Sequence, residues 1–209
     1  MAETGNRAER GGGRVGMIDA VRGISILLMI VYHLHIDLYS SGIIDGELLF
    51  SPFVGFLQTL FASLFILMSG ISCRFSRNNL KRGIVMFAAG MVVTAVTYFY
   101  DPSMIIRFGI LHFLGVSAIL FALLQKPLDR LLPSFVAPVV YAALAALTWD
   151  IPNHYYGVRG LWMFGFRSPG FHSADYFPLL PYFFVYLFGT WMGIYIASGR
   201  FPQWFYRFR

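Results

Sequence analysis

Six apolar stretches, most of them near the ~20 residues that a helix needs to cross a bilayer, leave this chain few ways to fold. They run over about 17–39, 52–73, 83–100, 104–125, 134–150 and 176–198. Hydrocarbon offers no water to satisfy backbone N–H and C=O groups, so such stretches become helices. The expectation is all-α: a polytopic membrane helix bundle of about six transmembrane helices. The fifth stretch is short and carries Pro138, which predicts a tilt or a kink. Composition agrees, because 57% of residues are hydrophobic and only 12% charged, against roughly 25% charged in soluble domains. A polar, Gly-rich tail (1–16) precedes one membrane domain (17–200), and a short tail (201–209) follows it. No small-residue cleavage pattern follows the first apolar run, so that run reads as a retained helix after a disordered tail.

The connections set the orientation. The N-terminal tail with Arg22, and segments 74–82, 126–133 and 199–209, carry 13 Lys and Arg residues, whereas the other side keeps only Arg107, Arg159 and Arg167. Lys and Arg concentrate on the cytoplasmic side of membrane proteins, so both termini are expected there. Five or seven spans would break this alternation. The net charge of +6 is accounted for by membrane orientation and anionic headgroups, not nucleic acid. A single cysteine, Cys73, excludes an internal disulfide and a Cys-based zinc cluster, and no metal site is expected. The outer segment 151–175 is long and aromatic, and is expected to lie at the interface or fold back over the bundle.

Ionisable groups within a bilayer are expensive and point to function. With Asp19 at 0°, Arg22 falls at about 300°, His33 at about 320° and Asp37 back at about 0°, a stripe roughly 60° wide. Such a stripe is expected to face the bundle interior or a cavity. Asp19 and Arg22 form one pair near the inner surface, and His33 and Asp37 another toward the outer one. Asp37 beside His33 would fix its tautomer and favour its protonated form, which suits a base that takes a proton from an attacking amine or hydroxyl. His35 points to the opposite face. His112, early in the fourth helix, is a candidate to meet the stripe. Ser69 and Ser72 offer hydroxyls on the second helix, with Gly70 between them allowing close packing. Asp175 precedes Pro178 and is placed to cap the last helix. Gly189 and Gly193 form a GxxxG, for packing within the chain or for a homodimer.

These residues carry a resemblance. Asp19-x-x-Arg22-Gly23-Ile24, then Met29, His33 and Asp37, resembles the first helix of a bacterial membrane family related to the heparan-alpha-glucosaminide N-acetyltransferase catalytic domain. Ser69-Gly70-x-Ser72, Arg107-x-Gly109-x-Leu111-His112-x-x-Gly115 and Asp175-Tyr176-Phe177-Pro178-Leu179-Leu180-Pro181 match in the same order. The resemblance implies a multi-pass acyltransferase of the bacterial inner membrane. Acetyl-CoA or another acyl-CoA would be the donor from the cytoplasm, and an outer amino-sugar, glycan or other small hydroxyl or amine compound the acceptor. It assigns His33, Asp37 and His112 to catalysis, Asp19, Arg22, Ser69 and Ser72 to the donor, and Arg107, Asp175 and Tyr176 to the acceptor. The chain departs from the pattern in having about six helices, not eleven, and no histidine between Asp37 and Phe53. Either His33 takes the base role, or this branch does not perform that reaction. The alternatives are a proton-coupled transporter, with His33 and Asp37 as relay, and a packing subunit of a membrane complex.

Overall fold

A computed structural model describes residues 16–131 and 135–207; the expectation for the tail at 1–15 therefore lies outside the described residues. The described chain is helical: α1 (Gly16–Ser40), α2 (Pro52–Cys73), α3 (Asn79–Tyr100), α4 (Ile110–Leu131), α5 (Ala137–Thr148), α6 (Leu179–Ala197) and a short α7 (Gln203–Arg207). Five of these, α1 to α4 and α6, are long and apolar enough to cross a membrane. At 12 residues α5 rises only about 18 Å, less than a hydrocarbon core. Contacts at its two ends nonetheless carry the chain across the bundle. Ala137 and Tyr141 lie beside Thr190 and Ile194 near one end of α6, while Trp149 packs on Tyr182 near the other. "Inner" below means the Lys- and Arg-rich end, and "outer" the opposite one.

Local chemistry sets the helix starts. Ser51 accepts the Val54 N–H, with Pro52 in the first turn of α2, and Asn78 accepts the Lys81 N–H at 2.9 Å to open α3. The expected fourth span begins at 104, yet α4 begins at Ile110. Residues 105–108 are held extended by other partners: Ala174 N–H donates to Ile105 O at 3.0 Å and Phe177 N–H to Phe108 O at 2.9 Å. Thr94 donates its hydroxyl to Ile106 O. Hydropathy alone does not see such pairing.

The helices α2 and α6 form the central pair, with α1 against α2, α5 against α6, and α4 between this layer and α3. Small residues permit the central crossing. A Cβ on Gly70 would meet Tyr186 O at 2.2 Å, and one on Gly189 would meet Leu67 O at 2.3 Å. At the inner end Arg74 ties three helices together. It forms a two-pronged pair with Asp129 at 2.8 and 2.9 Å, donates from Nε to Thr190 O, and lies over Phe121. Within the C-terminal segment Phe201, Phe205 and Tyr206 pack on Ile18, Met68 and Ile196, and Tyr206 donates to Ile196 O at 2.8 Å.

Gly70→Ala is expected to weaken the α2–α6 crossing by about 1–3 kcal/mol and lower the thermal midpoint in detergent. Gly55→Ala, whose Cβ has nothing within 4 Å, is the control and is expected to leave the midpoint unchanged or slightly raised.

Candidate functional site

The stripe on α1 divides into three surroundings. At the inner end Arg22 donates to the Ser72 hydroxyl, which itself donates to Met68 O, and Arg22 lies 3.8 Å from Asp19. Three of the four residues assigned to the donor therefore come together. Ser69 does not join them: it is buried, and no hydrogen bond links it to Arg22.

At the outer half, His33 lines a cavity of about 150 Å³. Its walls are α1 (Tyr32, His33), α2 (Gln58, Thr59), the segment before α6 (Asp175, Tyr176) and Tyr182 of α6. A volume of this size holds several waters or one small polar group. The expected partner Asp37 is not there. It is exposed, shares no hydrogen bond or ion pair with His33, and its carbonyl accepts the hydroxyls of Ser40 and Ser41. The carboxylate that shares the cavity with His33 is Asp175, from a segment 142 residues later in the chain.

Asp175 is held by a cross-chain motif. Its Oδ2 accepts the N–H of Ile110, the first residue of α4, at 3.0 Å. It therefore caps α4, not the helix that follows it. A first-turn N–H has no partner within its own helix, and the helix dipole favours a carboxylate there. Gly109 makes the approach possible, since a Cβ there would meet Asp175 Oδ2 at 2.3 Å. Phe108 and Tyr176 pair as parallel extended residues, and Ser173 links Arg107 N–H to Asp175 O. Two motifs distant in sequence, Arg107–His112 and Asp175–Pro181, are thus one structural unit. Burial pushes the Asp175 carboxyl above the usual range; the Ile110 N–H and then the nearby His33 charge pull it back. The carboxyl is therefore responsive to charge in the cavity. Burial likewise pushes the Tyr176 phenol up to about 12, and its hydroxyl donates to Trp162 O at 2.5 Å.

His112 occupies a different place. It is 2% exposed, packs against Gly90 and lies between the rings of Phe87 and Phe108. The Thr94 hydroxyl donates to Ile106 O, so it accepts from His112 Nε2 at 3.1 Å. His112 joins α3 to α4 and does not line the His33 cavity, so the expectation that it meets the α1 stripe is not met. Arg107 is exposed and lies over Phe171. No group of three or more His, Cys, Asp or Glu residues able to hold a metal occurs among the described residues.

The division of roles is testable. His112→Ala is expected to cost about 2–4 kcal/mol of stability, read as a lower thermal midpoint. Asp37→Ala is expected to leave both the midpoint and any acyl transfer within about twofold, since exposed substitutions without partners are near neutral.

No curated protein and no solved structure matches the chain significantly. The family described as "Heparan-alpha-glucosaminide N-acetyltransferase, catalytic" matches residues 14–206, nearly all of the chain and every element of the site just described. Together with its five membrane-length apolar helices, this match makes the chain a multi-pass membrane protein of the heparan-alpha-glucosaminide N-acetyltransferase catalytic-domain family.

Proposed function

We propose that the chain is an acyltransferase of the bacterial inner membrane that passes an acetyl or other acyl group from cytoplasmic acyl-CoA to an amine or hydroxyl acceptor on the outer side. The observation that carries this reading is that His33 and Asp175 stand on two walls of one outer cavity. His33 is the base. As the acceptor nitrogen or oxygen attacks the thioester carbonyl, its proton passes to His33. The C–S bond breaks, the new acyl C–N or C–O bond remains on the acceptor, and the proton then goes to the departing thiolate. Asp175 takes the supporting role expected of Asp37: its carboxylate stabilises the imidazolium that forms.

The donor's anionic part fits the inner end only in part. Arg22 carries a guanidinium of the kind that binds phosphate, but it already donates to Ser72 and lies 3.8 Å from Asp19. Arg22 and His33 both face α2 and lie eleven residues apart, roughly 16 Å along the axis. That span is comparable to an extended phosphopantetheine arm, so the α1–α2 seam is the route we assign to the acyl group.

The test is acetyl transfer in proteoliposomes, with labelled acetyl-CoA on the inner side and glucosamine on the outer. His33→Ala is expected to lower kcat by about 10²–10⁴-fold, with the thermal midpoint and acetyl-CoA binding unchanged. Undiminished transfer in that variant, or no acyl-CoA binding by the unmodified protein, would overturn the reading.

A further inference from the structure

The outer loop holds a guanidinium, that of Arg167, with no ion pair among the described residues. Gly165, at φ +109°, turns the chain so that Arg167 N–H reaches Gly165 O. Arg167 O then accepts the Tyr156 N–H at 2.7 Å, and Tyr155 and Arg167 pair as extended residues. The backbone of Arg167 is thus fixed. Its guanidinium lies 4.9 Å from the Tyr155 ring centre and 5.9 Å from that of Tyr176. Its Nε is buried without a hydrogen bond, and it makes no ion pair, among the described residues. A buried donor without a partner is costly, and folded proteins keep few of them.

A second cation stands on the same aromatic surface. Arg107 lies over Phe171 at 6.0 Å, and Phe171 packs on Tyr176 with ring centres 5.1 Å apart. Arg107 also has no ion pair among the described residues. An arginine held over an aromatic ring still has N–H groups for an acceptor, and the guanidinium fork matches a phosphate or carboxylate. Two guanidiniums on one aromatic surface, Arg107 at Phe171 and Arg167 at the adjoining Tyr176, suit an oxyanion of charge near −1.5 to −2, which is a phosphoryl group. Tyr176 is common to both places: it lies under Arg167 and also lines the cavity of His33 and Asp175.

We infer that Arg167, with Arg107 on the same aromatic surface, is the subsite for a phosphoryl group carried by the acceptor, whose amine or hydroxyl enters the His33–Asp175 cavity. The inference rests on the acyltransferase reading for the word acceptor, but the site itself is a binding site and is tested without turnover. The phosphoryl group belongs either to a soluble phosphorylated compound or to a lipid headgroup.

The full chain, purified in a phosphate-free maltoside detergent, is titrated with glucosamine 6-phosphate, with dihexanoyl phosphatidic acid and with uncharged glucosamine. At least one phosphorylated probe is expected to bind. Arg167→Gln is expected to weaken it roughly tenfold or more, and Arg167→Lys less, because Lys keeps the charge and loses the fork. Glucosamine and acetyl-CoA binding are expected to change less than about twofold, consistent with the loss of a phosphate contact alone. Sensitivity of the sugar phosphate alone identifies a soluble source, and of the lipid alone a headgroup. If Arg167→Gln does not fold, exposed Arg107→Gln decides: weaker binding of the phosphorylated probe supports the subsite, and unchanged binding overturns it. The inference is also overturned if the unmodified protein binds neither phosphorylated probe, or if Arg167→Gln binds them as tightly. Loss of acyl transfer with these binding differences intact would overturn only the catalytic reading.

Discussion

One hydrogen bond organises the outer half of this protein: the Asp175 carboxylate accepting the N–H of Ile110. The first turn of α4 needs an acceptor, and the chain supplies it from a segment 65 residues later. Glycine at 109 removes the side chain that would block the approach. Once the carboxylate is docked, residues 173–177 run alongside 105–110, and Phe108 and Phe177 become core. Tyr176 is turned into the cavity wall. The same carboxylate lines that cavity together with His33. Burial raises its pKa while the cap and the nearby imidazole lower it.

The rest of the bundle supports this arrangement. The glycines of the α2–α6 crossing bring two backbones into direct contact, as expected where hydrocarbon gives helices no hydrophobic reason to associate. Arg74 performs the equivalent task at the inner end, satisfied by Asp129 and by the Thr190 carbonyl. With α2, α4 and α6 locked at both ends, α1 is attached along one side, mainly to α2. Its polar residues are therefore presented along a seam, with Arg22 at one end and His33 toward the other.

Much of the fold was legible in the sequence because bilayer thickness and charge asymmetry act on composition, and composition is local. The spans of α1 and α2 fall within a residue or so of expectation for that reason. Where tertiary partners decide, the reading drifted. The start of α4 moved by six residues because 105–108 pair with a distant segment. Asp37 shares a face with His33 on a helical wheel, yet a wheel treats the helix as isolated, and in the fold the Asp37 side chain is exposed. Asp175 reads as a cap for the helix that follows it, since capping patterns are sought along the chain and not across it. His112 faces Gly90 of α3, a pairing that periodicity within α4 does not contain. Arg167 carried no signal beyond its place in an aromatic loop.

The central claim is that His33 opens to the outer side in a cavity shared with Asp175, while Arg22 belongs to the inner side. Cysteine accessibility tests it most directly. Cys73 is 2% exposed and is replaced by Ala, and His33→Cys or Arg22→Cys is then labelled with a membrane-impermeant thiol reagent in sealed right-side-out vesicles. The account predicts that the cysteine at position 33 reacts from outside and that the one at position 22 reacts only after the inner face is exposed. A cysteine at position 33 that reacts only from the inner face, or from neither, would contradict it.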